Sequence, residues 1–171
     1  MDTLHLQYPI GEFRMPGNID EKRKAEAIDI IRTFPSKIAG YTGAEMNYQK
    51  PYRAGGWNLK QLIHHLADSH MNAFIRFKLA LTESSPVIKP YNEGLWAELS
   101  DYDLASVDDS FNILNGLHRR WSVLLANMTS RDFQKQYFHP QSGSLVKLQE
   151  ALFLYEWHCL HHFEHILLTQ K

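Results

Sequence analysis

The sequence predicts an all-α fold, a four-helix bundle with long connections and a polar site in its interior. Four segments place apolar residues at helical spacing, and more than twenty residues, Glu83 to Ala105, separate the second from the third. The last segment stacks histidines on a face it shares with apolar residues.

The first helix is expected over Ile19–Lys37, where Ala25, Ile28, Ile31 and Phe34 recur near the helical period. Asp20 and Glu21 put acidic charge at its positive end, and Pro35 either kinks it or ends it early. Gly55-Gly56 break the chain before the second helix. Asn58 caps it, Gln61 completes a capping box, and its periodicity continues to about Thr82. Ser106 opens the third, Val107–Met128, with Asp108 and Asp109 in its first turn. The fourth, Leu145–Thr169, contains neither Gly nor Pro. The connection between helices two and three can cross a bundle end to end, so those two helices can run parallel. A short helix is expected within it, at Glu93–Leu99. Tyr137–Ser144 reads as a turn or short hairpin, and Leu4–Phe13 as extended chain across the bundle. With no internal repeat or linker, residues 1–171 read as one domain.

Composition removes several functions. A net charge of −1 supplies no basic field for nucleic acid or an anionic membrane. No apolar stretch approaches the roughly 18 residues of a membrane span. Met1–Leu6 lack the basic start and apolar run of a signal peptide, and Cys159 is the only cysteine, so a cytoplasmic address is expected.

Ten histidines are the unusual feature. At about 100° per residue, His158, His162 and His165 share a face with Ala151, Leu154 and Tyr155. His158 and His162 stand one turn apart, close enough to reach one metal. Such a pair also occurs as two separately hydrogen-bonded rings, but apolar flanks make unpartnered burial costly. On the second helix the face of His65 carries Gln61, Leu62, Ser69, Asn72, Arg76 and Leu79, a polar mixture suited to an internal site. His64 points about 100° away, to the exterior or behind the site. Three protein ligands, His65, His158 and His162, would leave a divalent ion an open position for water or substrate. Cys159, about 100° from His158, reads as a packing residue. Asn72 and Arg76 are the substrate-binding candidates; Arg76 suits a carboxylate or phosphate, or an ion pair within the bundle. Asp68 is placed to support a ligand histidine or to sit at the surface. The four tryptophans read as core or wall. A second apolar stripe, Phe153, Leu160, Phe163 and Leu167, makes this helix either central in the fold or part of a subunit interface, and a homodimer is one expectation. There is no His-Glu-x-x-His, no paired Glu-x-x-His, no phosphate-binding glycine loop and no Gly-x-Ser-x-Gly.

Blocks spread along the chain carry a family resemblance. They are Tyr8-Pro9-Ile10-Gly11, Pro51-Tyr52-Arg53-Ala54-Gly55-Gly56-Trp57, His64-His65-Leu66-Ala67-Asp68-Ser69-His70-Met71-Asn72, Pro90-Tyr91-Asn92-Glu93, Tyr155-Glu156-Trp157-His158 and His161-His162. Together they resemble the YfiT branch of the DinB superfamily. The resemblance implies a four-helix bundle with one divalent metal per subunit, zinc or nickel with manganese as a further candidate, held by His65, His158 and His162. It also implies a cytoplasmic homodimer with a small-molecule substrate. Members carry the label metal-dependent hydrolase, with water activated by the metal. The alternative is a thiol S-transferase, in which a low-molecular-weight thiol such as bacillithiol attacks a small electrophile as thiolate. A non-catalytic metal-binding module is the second alternative.

Overall fold

The computed structural model describes residues 4–41, 43 and 45–171. The chain opens with one helical turn, α1 (Leu4–Gln7), followed by α2 (Glu21–Ile38) and α3 (Leu59–Thr82). The long connection holds two short helices, α4 (Glu93–Trp96) and α5 (Ser100–Leu104), before α6 (Val107–Ala126). A helical turn, α7 (Ser130–Phe133), and a hairpin, β1 (Gln136–His139) with β2 (Ser144–Lys147), lead into α8 (Leu148–Leu168). The hairpin is antiparallel, pairing Gln136 with Lys147 and His139 with Ser144.

Local chemistry sets the long helices. The Asp20 side chain accepts from the Arg23 amide at 2.7 Å and caps α2. At the start of α3, Asn58 Oδ1 accepts from the Gln61 amide at 2.8 Å, while Gln61 Oε1 accepts from the Asn58 amide at 3.1 Å. Pro35 does not end α2, which continues to Ile38 and a 3₁₀ turn at Ala39–Tyr41.

Cross-helix contacts give the directions. His64 meets Ser110, His70 meets His118, and Phe77 meets Trp121, so α3 and α6 run parallel, as the connection length allowed. His65 lies against His162, and His70 against His158, so α3 and α8 are antiparallel. Arg23 pairs with Glu156 and Lys37 covers Phe163, which makes α2 parallel to α8. The interior holds Ile31, Phe34, Leu62, Leu66, Phe77, Trp121 and Phe153, all buried. Each contributes on the order of 1.5–3 kcal/mol by leaving water.

Three expectations are corrected, and a fourth is resolved in part. Leu4–Gln7 is helical rather than extended, although this region still packs on α8, where Trp157 Nε1 donates to the Gly11 carbonyl at 3.1 Å. Ser144–Lys147 pairs as a strand, so the last helix begins at Leu148 rather than Leu145. The short helix expected at Glu93–Leu99 stops at Trp96, and a second begins at Ser100. The second apolar stripe of α8 turns toward α2: Phe153 is buried, with the Arg23 guanidinium over its ring, and Phe163 sits beneath Lys37 and beside Tyr41. Phe153 and Phe163 are therefore used within the chain, while Leu160 and Leu167 stay partly exposed. Among the described residues no helix is long and apolar enough to cross a membrane.

The capping box holds the first turn of the helix that carries His65. Replacing Asn58 with Ala should cost about 1 kcal/mol. Urea denaturation should show this as a lower midpoint with an unchanged slope.

Candidate metal centre

His65 from α3 meets His158 and His162 from α8, and one ring nitrogen from each lies within 4.8 Å of the others. The antiparallel packing of α3 on α8 delivers one ring, and the one-turn spacing of His158 and His162 delivers two. His65 Nε2 and His158 Nε2 stand 3.3 Å apart. Nitrogens bonded at about 2.0–2.1 Å to a tetrahedral ion are about 3.3–3.4 Å from each other, so this spacing fits a shared divalent ion. The Nδ1 of His65 is buried without a hydrogen-bond partner among the described residues. His165 Nε2 lies 3.2 Å from the carbonyls of both Leu6 and Gln7. Carbonyls only accept, so this nitrogen carries the proton and His165 Nδ1 accepts from His162 Nδ1 at 3.3 Å. The remaining nitrogen of His162, Nε2, is then left with a lone pair.

Burial keeps these rings neutral. It pushes His65 down to about 4 and holds His158 and His162 well below the ordinary histidine value, with repulsion among the rings adding to it. His161 and His165 are likewise pushed down to about 4, burial again being the main cause. Neutral imidazole is the form that ligates, so the rings need lose no proton at neutral pH. His161, His162 and His165 make a second close set, but His165 Nε2 is committed to Leu6 and Gln7, and His162 belongs to both sets.

The rings open into a cavity of about 480 Å³ whose walls include Trp57, Ser69, Tyr91 and Tyr155. Trp57 lies 4.6 Å from the His65 ring, and Tyr52 stacks on His165 at 4.0 Å. A side chain at Gly56 would bring its Cβ within 2.8 Å of the Tyr52 ring and the Arg53 stem, so the loop needs glycine to fold beneath them. Arg53 and Arg76 also line the cavity, and among the described residues its only lining carboxylate is the exposed Glu93.

Arg76 reaches this cavity from three turns beyond His65, because helical side chains lean toward the N-terminus and its stem is long. Asn72 does not line the cavity; its Nδ2 folds back to donate to the Asp68 carbonyl at 2.9 Å. Asp68 accepts from the Tyr102 hydroxyl at 2.7 Å and supports no ligand histidine, while burial raises its pKa. The Gln61 side chain is consumed by the cap, where Oε1 accepts from the Asn58 amide, and by the Ala97 carbonyl, to which Nε2 donates. His64 is buried rather than exposed, with Nδ1 2.7 Å from Ser110 Oγ. Cys159 packs fully buried, and burial pushes its thiol well up.

Sequence reasoning missed two histidines behind the cluster. His70 Nε2 lies 3.0 Å from His158 Nδ1, and His70 Nδ1 lies 2.7 Å from His118 Nε2. Both are fully buried. The available signal was their placement: His70 interrupts the apolar run Ile63, Leu66, Ala73, Phe77, and His118 interrupts Leu114, Trp121, Leu125.

The sign of the pH dependence follows. These histidines bind protons less readily folded than unfolded, where the value is about 6.5. Stability of the metal-free protein should be fully present above pH of about 6.5 and be lost as pH falls toward about 4. Each such ring contributes a slope of up to about 1.4 kcal/mol per pH unit. Urea midpoints measured across this window should fall steeply; a flat profile would contradict buried neutral rings.

The comparisons with known proteins agree with this architecture. A family model described as "DinB superfamily" matches residues 37–166. YfiT of Bacillus subtilis is 42% identical over 168 residues, covering 97% of this chain and 94% of that protein. A Bacillus mycoides protein, named a "Putative metal-dependent hydrolase", is 45% identical over 94% of this chain and 93% of its own length. The solved structure of YfiT superposes with a TM-score of 0.92 at 40% identity, covering 97% of this chain and 96% of that one. That YfiT is described as "a probable metal-dependent hydrolase with an unusual four-helix bundle topology". The chain belongs to the DinB superfamily, with YfiT among its relatives.

Proposed function

We propose that this protein is a metal-dependent hydrolase whose substrate is a small molecule carrying a carboxylate or phosphate. The observation that carries the reading is three neutral histidine nitrogens within 4.8 Å of one another in the wall of a cavity shared with Arg76. His65, His158 and His162 would hold one divalent ion; imidazole donors suit zinc or nickel, with manganese less favoured. When bound, such an ion supplies a Lewis acid and lowers the pKa of water in its open position to about 7. Arg76 makes no ion pair among the described residues and lies within hydrogen-bond reach of the Tyr155 hydroxyl, so its charge is not neutralised and would favour an anionic group in the cavity. Tyr52, Trp57 and Tyr91 wall the cavity and restrict water. Glu93 is the carboxylate available there to take up a proton.

One observation favours a second reading, thiol S-transfer. A single exposed carboxylate is a sparse supply of general base for water, whereas a thiol beside a divalent ion is deprotonated outright. A low-molecular-weight thiol would then give its proton to solvent and attack a small electrophile in the same cavity as thiolate, the new C–S bond replacing the bond to a leaving group that departs with its electron pair. A binding module without catalysis has less support, because a cavity lined by two arginines is superfluous to it. A cytoplasmic homodimer goes with the proposal.

Elemental analysis should find close to one metal per chain in the untagged protein and a large loss in His65→Ala. Protein that cannot be loaded with zinc, nickel or manganese would end both catalytic readings. The loaded protein should hydrolyse carboxylate-bearing esters or amides without added thiol. Turnover seen only with a thiol would replace the first reading by the second. Arg76→Ala should raise KM about 10- to 100-fold for anionic substrates, the weight of a charge-assisted hydrogen bond.

A further inference from the structure

The chain of rings behind His158 ends at a particular carbonyl. His118 Nδ1 lies within hydrogen-bond distance of the Ile31 carbonyl oxygen, on α2. In a regular helix that oxygen would accept from the amide four residues on, which here is Pro35, and proline has no amide hydrogen. Pro35 sits inside α2 and leaves the Ile31 carbonyl without its helical donor, facing the interior. His118 supplies the donor.

A carbonyl can only accept, so His118 must carry its proton on Nδ1. Its Nε2 is then a lone pair, which accepts from His70 Nδ1 at 2.7 Å. The Nε2 of His70 is a lone pair in turn, accepting from His158 Nδ1 at 3.0 Å. His158 is left with its Nε2 lone pair directed at His65 Nε2, 3.3 Å away in the candidate centre. His70 and His118 are fully buried, where a second proton would be costly, and one proton per ring satisfies each contact in the chain. Phe34 stacks on His118 and Trp121 meets both His118 and His70 edge-on, which fixes the ring planes.

We propose that Pro35, His118 and His70 are positioning residues that set the tautomer of His158, by a relay of hydrogen bonds running from the Ile31 carbonyl through all four long helices. The relay holds His158 Nε2 unprotonated and aimed into the cavity before any ion arrives. Its bearing on metal affinity rests on the metal-centre reading above, but the tautomers themselves do not. Free imidazole favours the proton on Nε2, so Nδ1–H on three successive rings is a distinctive signature.

The test is long-range proton–nitrogen NMR on metal-free full-length protein with ring-labelled histidine, near pH 7.5, followed by zinc binding against a competing chelator. His158, His70 and His118 should all appear as neutral Nδ1–H tautomers; a protonated ring or an Nε2–H tautomer at any of the three overturns the relay. In His118→Phe, His158 should lose its single tautomer and zinc affinity should fall about 10- to 100-fold, as for other partners of ligand histidines. His118→Gln, which can donate to the carbonyl and accept from His70, should recover most of that loss. Unchanged tautomers and affinity in His118→Phe would overturn the proposal. Pro35→Ala keeps the fold accessible and returns an amide to the Ile31 carbonyl. It should raise the melting temperature while weakening zinc binding, and a stabilised variant with unchanged affinity would remove Pro35 from the relay. His65→Ala separates the two questions: zinc should be lost while the three tautomers persist. If the parent binds no zinc, the metal reading fails even when the tautomers are found as described.

Discussion

Buried imidazole nitrogens need partners, and the bundle is arranged around that need. His64, His65, His70, His118, His161, His162 and His165 are all buried, where an unpaired polar group costs on the order of 1–3 kcal/mol. A leucine core would avoid that cost. Here His70, His118, His158, His162 and His165 are connected instead, to one another and to carbonyls of α1 and α2, while His64 Nε2, His65 Nδ1 and His161 Nδ1 stay unpartnered among the described residues; the connected rings leave lone pairs of His158 and His162 at the cavity wall. A divalent ion is the natural recipient for nitrogens held neutral, close together and without protons. The tight apolar packing of Phe34, Phe77 and Trp121 supports the same end by preventing the rings from turning.

The topology serves this geometry. The connection through α4 and α5 lets α3 and α6 run parallel, so His64 and His70 meet Ser110 and His118 in the same order along both helices. That connection also brings Tyr91 and Glu93 to the cavity, while the loop through Gly55 and Gly56 brings Tyr52, Arg53 and Trp57. Helices hold the nitrogens, and loops supply the walls. This division leaves the cavity contents free to vary without disturbing the rings.

Much of this was legible in the sequence because helical periodicity is a one-dimensional signal. The spacing of His158 and His162, the Asn58 capping box and the four long segments all follow from residues a few positions apart. Asn72 shows where such reasoning stops: it shares the face of His65, but a short side chain two turns along bonds its own helix instead of reaching the cavity. Arg76, a turn further, reaches because its stem is long. The partners of His158 were not legible, because His70 and His118 lie on different helices and neither has a spacing motif. Pro35 was visible as a disturbance of α2, but its consequence depends on which ring faces the freed carbonyl. The hairpin strand at Ser144–Lys147 was absorbed into the last helix because it runs into it without a break.

X-ray absorption at the zinc edge on the loaded protein tests the central claim most directly, since it reads the donor atoms and their distances. Three imidazole nitrogens at about 2.0–2.1 Å, with a lighter fourth ligand exchangeable with solvent, are the expected result. A sulfur at about 2.3 Å from Cys159, or a shell dominated by carboxylate oxygen, would contradict it.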